Sequence, residues 1–168
     1  MKTGKVILAG AGPGDIDLVT IKLVDQIKIA EVILIDRLVN PEIIKKYASP
    51  QALVIHVGKQ GYESTSTSQE KINQLLVHHA LNGKNVIRLK GGDVAIYSNV
   101  LEEIIAISAH NIPFEIIPGI TAASGAAASL SIPLTGRHIA PGVQIHSLAL
   151  NQEITLEEYT YWAKTEDT

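Results

Sequence analysis

Three glycine-rich turns combine residue types that let a backbone close on a ligand. They are Gly10-Ala-Gly12-Pro13-Gly14-Asp15, Gly91-Gly92-Asp93 and Pro118-Gly119-Ile-Thr121-Ala122. Glycine removes the Cβ that would hold a bound group away, and a carboxylate or hydroxyl accepts hydrogen bonds from an amine or hydroxyl. The first turn invites a dinucleotide reading. Gly10 and Gly12 fit the first two glycines of G-x-G-x-x-G, and Asp36 falls where an acid would bind a ribose. The third glycine would fall at residue 15, which is aspartate, and Pro13 lacks the backbone N–H that a pyrophosphate would use. No Lys-Ser/Thr pair follows Gly91-Gly92, so the second turn is not a phosphate-binding Walker loop. Each turn also has a plain structural reading: a tight strand-to-helix connection, a simple turn, and a helix cap at Thr121.

The elements predicted around these turns alternate. Lys5–Gly10 is an apolar run that reads as a fully buried parallel strand. A periodic stretch from Leu18 to Ala30 reads as a helix with Asp17 as N-cap, and Val32–Asp36 as a second strand. Asn40-Pro41-Glu42 opens a short helix with proline at its first position. Ala52–Val57 is a third strand, and Thr67-Ser-Gln-Glu70 has capping-box spacing before a helix that stops at Gly83. Asn85–Lys90 is a fourth strand, Asn99–Ala109 a helix, Pro113–Ile117 a fifth strand and Thr121–Leu130 an Ala-rich helix. This order predicts an α/β fold with a doubly wound, five-stranded, mostly parallel sheet and ligands at the carboxyl ends of the strands. The unusual loops all follow strands, at residues 10–15, 36–40, 58–61, 90–99 and 118–122. After Pro133 the pattern changes, with Val143–Leu150 reading as a strand and Thr155–Lys164 as a helix. The expected division is residues 1–134 as an α/β cofactor- and substrate-binding domain and 135–168 as the beginning of an incomplete second α/β domain.

Composition narrows the class. Net charge is -3, with one Trp, one Phe and five Tyr, which gives no global basic field and little base-stacking surface for nucleic acid. Five acids and one base lie between Asn151 and Thr168, leaving the rest of the chain slightly basic. There is no cysteine, which excludes disulfides, thiolate metal sites and a cysteine nucleophile. The N-terminus enters a strand directly, without a signal-peptide pattern, and the small-residue stretch Ile120–Leu134 is too short and polar to span a membrane. A soluble cytoplasmic protein is expected. His78 and His79 are adjacent on a helix and lack the spacing of a zinc pair, so no metal site is expected.

The order of the loops is more specific than any one of them. G-A-G-P-G-D, D-R-L-V, V-G-K, R-L-K-G-G-D and P-G-I-T-A-A follow strands one to five, and I-P-L-T-G-R spans Ile132–Arg137. From Val6 to about Arg137 this series resembles the uroporphyrinogen-III C-methyltransferases of the tetrapyrrole methylase family. The resemblance implies S-adenosylmethionine as cofactor, S-adenosylhomocysteine as its product, and a homodimer. It also implies methylation of a tetrapyrrole at C2 and C7 to give precorrin-2 for sirohaem or cobalamin synthesis. Carried over by motif, cofactor contacts fall on Pro13, Gly91, Gly92, Asp93, Ile96, Thr121 and Ala122. Asp36 matches a proton acceptor and Lys59 a proton donor, while Arg37, Glu102 and Arg137 fall at substrate-binding positions. A polycarboxylate substrate favours such cations, and Arg88 and Lys90 are either further cleft cations or solvated surface charges.

The chain also departs from the family pattern. After the glycine pair the family reads close to G-G-D-P-F-I-F-G-R, whereas here Val94 replaces the proline and Asn99 stands at the arginine. Gly136 stands where histidine is common, and the second domain is expected to be truncated. Two further readings follow: a later-acting corrin-ring methylase, and a non-catalytic S-adenosylmethionine-binding domain. A dinucleotide-dependent oxidoreductase rests only on Gly10, Gly12 and Asp36.

Overall fold

A computed structural model describes residues 2–58, 67–147 and 154–164 of the chain. Five short apolar runs form strands β1 (Val6–Gly10), β2 (Val32–Ile35), β3 (Leu53–His56), β4 (Val86–Lys90) and β5 (Phe114–Ile117). They make one wholly parallel sheet in the order β3-β2-β4-β1-β5. Every residue of β1, β2 and β4 is buried, because both faces of the sheet are covered. That is why these strands read as continuous hydrophobic runs rather than as an alternating pattern.

Alternate side chains feed two cores. Ile7, Ala9, Ile33, Ile35, Ile87 and Leu89 pack against α1 (Ile21–Ile29) and α2 (Pro41–Tyr47) through Leu23, Ile27 and Ile43. Val6, Leu8, Val32, Leu34 and Val86 pack on the other face against α3 (Gln69–Leu81) and α4 (Val100–Ala109) through Ile72, Leu76, Ala80 and Ile107. Burying each Val, Leu or Ile side chain contributes about 1.5–3 kcal/mol, so the two layers fix which face each strand residue points to. β1 leads to α1 on one face and its neighbour β4 leads to α4 on the other. The chain therefore leaves the two strands toward opposite faces at the β1–β4 seam, the kind of place at which doubly wound sheets bind ligands.

Helix starts differ from the sequence expectation by local hydrogen bonding. The chain does not enter α1 at Asp17. Asp15 Oδ1 accepts from the Asp17 N–H at 2.9 Å and starts a single 3-10 turn at Ile16–Leu18, and Thr20 then caps α1. α3 begins one residue later than the Thr67 capping box proposes, with the Ser68 hydroxyl accepting from the Lys71 N–H at 3.2 Å. Asn40 caps α2 with Pro41 at its first position, as expected. Gly83, at φ +79°, follows the end of α3, where a left-handed residue without a Cβ is favoured.

The chain divides into two compact units, Met1–Ala122 and Ala123–Thr168. Helix α5 (Ala122–Leu130) begins at the boundary, and α6 (Leu156–Ala163) in the second unit carries a full capping box between Thr155 and Glu158. The strand expected over Val143–Leu150 is not formed at residues 143–147, where no partner strand is present among the described residues; 148–150 lie outside them. In the second unit His146 stacks on Trp162 with ring centres 4.4 Å apart. No helix among the described residues is long and apolar enough to cross a membrane.

The edge strand β5 is tied back by charge. Glu115 accepts hydrogen bonds from Lys22 of α1 and from Lys5, and the two ammonium groups hold its carboxyl down at about 2. A carboxylate whose pKa is lowered on folding adds stability above its ordinary value of 4.5, and that stability is lost as pH falls toward about 2. Glu115→Gln is expected to flatten the acid limb of the melting temperature between those pH values. Thermal melts of both forms across that range check this, and parallel curves would contradict it.

Candidate functional site

The β1–β4 crevice is built from backbone. Gly12 and Gly92 exchange both hydrogen bonds, the Gly12 N–H donating to Gly92 O at 3.1 Å and the Gly92 N–H to Gly12 O at 2.8 Å. Both sit in the left-handed region, at φ +78° and +65°. A Cβ on Gly10 would lie 2.4 Å from Gly92 O and 2.8 Å from Gly119 N, and one on Gly119 would lie 2.3 Å from Gly92 O. The turns after β1, β4 and β5 thus meet at distances that only glycine permits. Asp93 locks the meeting point. Its Oδ2 accepts from the Gly119 N–H at 2.7 Å and its Oδ1 from the Ala95 N–H at 2.7 Å. Its carboxylate therefore holds the β4 turn against the β5 turn.

The outer side of the same turns is open. A Cβ on Gly14 would meet nothing within 4 Å, and one on Gly92 only Ala122 N at 3.8 Å. Pro13, Ile96 and Ala122 are exposed around this space, and Gly91, Gly92, Asp93 and Thr121 are half-buried. The seven residues assigned to a cofactor accordingly lie on the turns that follow three adjacent strands, β4, β1 and β5. Asn40, absent from that assignment, ties the first turn to the loop after β2. Its amide donates to Gly14 O at 2.7 Å while its oxygen accepts from the Glu42 N–H. The sequence signals only its helix cap, since a bond across 26 positions leaves no local pattern.

Asp36 directly follows β2 with 34% of its side chain exposed, and its Oδ1 accepts from the Arg37 N–H at 2.8 Å. The Arg37 side chain is exposed, as is Glu102 on α4. Lys59 lies outside the described residues. Arg137 is an exposed residue of the second unit.

Arg88 and Lys90 are neither cleft-mouth cations nor solvated charges. Both side chains point into the α3–α4 layer and are buried around Glu103, whose side chain is 0% exposed. Arg88 Nε donates to Glu103 Oε1 at 3.0 Å, and Lys90 Nζ lies 2.9 Å from the same oxygen. Arg88 Nη2 reaches to 3.7 Å from Asp36 Oδ2. Burial pushes the Lys90 ammonium pKa below its usual value, and Glu103 restores part of the charge preference. The register contains the signal that exposes this arrangement. Arg88 pairs with Leu8 on a buried face, and Glu103 lies four residues before the buried Ile107 on α4.

His78 and His79 meet edge to face, 5.2 Å apart, and no group of metal-ligating side chains occurs among the described residues. Asn99 precedes α4 at φ +55°, a conformation asparagine tolerates, and makes no side-chain cap.

Comparison with known proteins places these features in a family. The model of the Tetrapyrrole (Corrin/Porphyrin) Methylases matches residues 5–165. A uroporphyrinogen-III C-methyltransferase of Methanocaldococcus jannaschii is 48% identical over 138 residues, covering 82% of this chain and 56% of that protein. A siroheme synthase of Pseudomonas paraeruginosa is 49% identical over 144 residues, covering 86% of this chain and 30% of that protein. The solved uroporphyrin-III C-methyl transferase of Thermus thermophilus complexed with S-adenyl homocysteine superposes with a TM-score of 0.67 at 37% identity, covering 83% of this chain and 54% of that one. The chain thus spans between about a third and three fifths of the length of these relatives.

The glycine contacts make a direct prediction. Gly119→Ala forces a methyl group against the Gly92 carbonyl, where backbone bounds both sides, and is expected to cost at least about 2 kcal/mol. Asp93→Ala leaves the half-buried Gly119 N–H without its acceptor, while the exposed Ala95 N–H turns to water, and is expected to cost about 1 kcal/mol. Urea denaturation of the two variants checks both values, and unchanged midpoints would contradict the assignment.

Proposed function

This chain belongs to the tetrapyrrole (corrin/porphyrin) methylases, and we propose that it supplies the S-adenosylmethionine-binding and proton-handling part of a uroporphyrinogen-III C-methyltransferase. The single observation that carries this reading is the paired glycine turn at the β1–β4 seam, Gly12 against Gly92, with open space beside Gly14 and Gly92. It is supported by the similarity to uroporphyrinogen-III C-methyltransferases and to a solved neighbour complexed with S-adenyl homocysteine. A nucleoside-bearing thioether or sulfonium fits these residues. The glycine backbone leaves room at Gly14 and Gly92, and Pro13, Ile96 and Ala122 present exposed, mostly apolar surface around it.

When bound, the cofactor supplies an electrophilic methyl group to an electron-rich pyrrole carbon. The protein's share of that displacement is orientation and exclusion of water, which the turns at Gly91-Gly92-Asp93 and Thr121-Ala122 are proposed to provide. Asp36 is the proposed proton acceptor, its partly open carboxylate being held by the Arg37 N–H and faced by Arg88. Lys59 is the proposed proton donor on the strength of its V-G-K motif. Arg37, Glu102 and Arg137 are proposed substrate contacts, the two cations suiting a polycarboxylate. Methylation at C2 and C7, homodimer formation and a cytoplasmic setting belong to the same reading, and the family resemblance supports them. Two further readings use the same site: a later-acting corrin-ring methylase, and binding of S-adenosylmethionine without turnover, which Asn99 in place of arginine supports.

Calorimetric titration with S-adenosylhomocysteine, with NADH as control, tests the reading. Saturable binding of the first and none of the second is expected, while NADH binding alone would overturn it. Asp36→Ala is expected to leave S-adenosylhomocysteine affinity within about twofold and to lower methyl transfer to uroporphyrinogen III by roughly 100-fold or more. Assay of a corrin precursor beside uroporphyrinogen III separates the two substrates.

A further inference from the structure

Glu103 stands where three segments meet. Its Oε1 is approached by Arg88 Nε at 3.0 Å, Lys90 Nζ at 2.9 Å and Gln69 Nε2 of α3 at 3.4 Å. Its Oε2 is buried and has no hydrogen-bond partner. Two arms run from this carboxylate toward the crevice. Arg88 carries one to Asp36, with Nη2 at 3.7 Å from Oδ2. Lys90 carries the other, donating to the Ser98 carbonyl, while the Ser98 hydroxyl donates to the Val94 carbonyl. That second arm closes residues 94–99, where Ile96 is displayed and Tyr97 and Asn99 both take positive φ, +48° and +55°.

Stability alone does not account for the cluster. Removing three charges from water carries a desolvation penalty, and apolar side chains of similar volume commonly serve a core as well or better. What apolar side chains would not do is reach out of the core to a specific carboxylate and a specific carbonyl. The buried cluster converts the rigidity of β4 and α4 into fixed positions for two groups at the strand ends. Left-handed residues in such a loop persist when their surroundings over-determine them.

We infer that Glu103 is a positioning residue, acting through Arg88 on the Asp36 carboxylate and through Lys90 on the 94–99 loop. Its significance for catalysis rests on the methyltransferase reading above, whereas its hold on the loop does not. The test replaces the cluster by an apolar one, Arg88→Met with Lys90→Met and Glu103→Met, in the whole chain. A second variant, Glu103→Asp, keeps the charge but is too short to reach both partners. In the triple variant the melting temperature is expected to stay at or above that of the parent.

Amide hydrogen exchange at residues 95–99 is expected to speed up by roughly tenfold or more in either variant, while β1 amides stay protected. The side-chain carboxyl carbon resonance of Asp36 is expected to move, and affinity for S-adenosylhomocysteine to fall by about fivefold or more. Glu103→Asp carries the same exchange and resonance readouts if the triple variant does not fold. A folded variant with parental exchange at 95–99 and an unmoved Asp36 resonance would overturn the inference. Failure of the parent chain to bind S-adenosylhomocysteine would instead count against the methyltransferase reading, and the exchange and resonance data would still decide the role of Glu103.

Discussion

The contact of the Gly92 carbonyl with Gly10 and Gly119 sets the terms for the rest of the first unit. It brings the turns after β4, β1 and β5 closer than any side chain allows. The chain leaves β1 and β4 toward opposite faces, and the paired Gly12 and Gly92 backbone joins the two turns at the seam. Asp93 follows from the same constraint. With three backbones so close, the Gly119 N–H needs an acceptor that fits within the gap, and a carboxylate one residue beyond Gly92 supplies it. The acid that the resemblance assigns to the cofactor is therefore also the clamp of the floor on which a cofactor would rest.

A second layer of charge sits beneath that floor. Arg88 and Lys90 interrupt an otherwise apolar strand on the α3–α4 side, and Glu103 neutralises them from α4. Buried ions are costly to desolvate and leave little geometric freedom once paired. In the positioning role inferred for Glu103, the cluster specifies where its partners lie more than it adds to stability. Here the partners are the Asp36 carboxylate at the end of the neighbouring strand and the loop that carries Ile96.

Much of this was legible in the sequence, for identifiable reasons. Lys5–Gly10, Val32–Ile35 and Asn85–Lys90 are short apolar runs between turn residues, and such runs become buried parallel strands. Pro41, Gly83 and Thr155 punctuate helices as their backbone preferences dictate. The misplacements arise from competition between neighbours of similar chemistry. Asp15 and Thr20 outcompete Asp17 because a 3-10 turn intervenes, and Ser68 outcompetes Thr67 by one position. The strand expected from Val143 fails at 143–147 because alternation there carries no pairing partner among the described residues. Arg88 and Lys90 were open between two readings because charge alone does not reveal burial; the partner, Glu103, lies on another element. Asn40 was legible as a cap and not as a tether, since its bond to Gly14 spans two loops.

Whether a ligand settles on the glycine backbone at the β1–β4 seam is decided by backbone amide chemical-shift mapping with S-adenosylhomocysteine. Saturating shifts are expected to cluster at Gly12, Gly14, Gly92, Asp93, Ile96 and Thr121, with the amides of β2 and α3 unmoved. Shifts confined to other surfaces, with these amides unchanged at saturation, would contradict binding there.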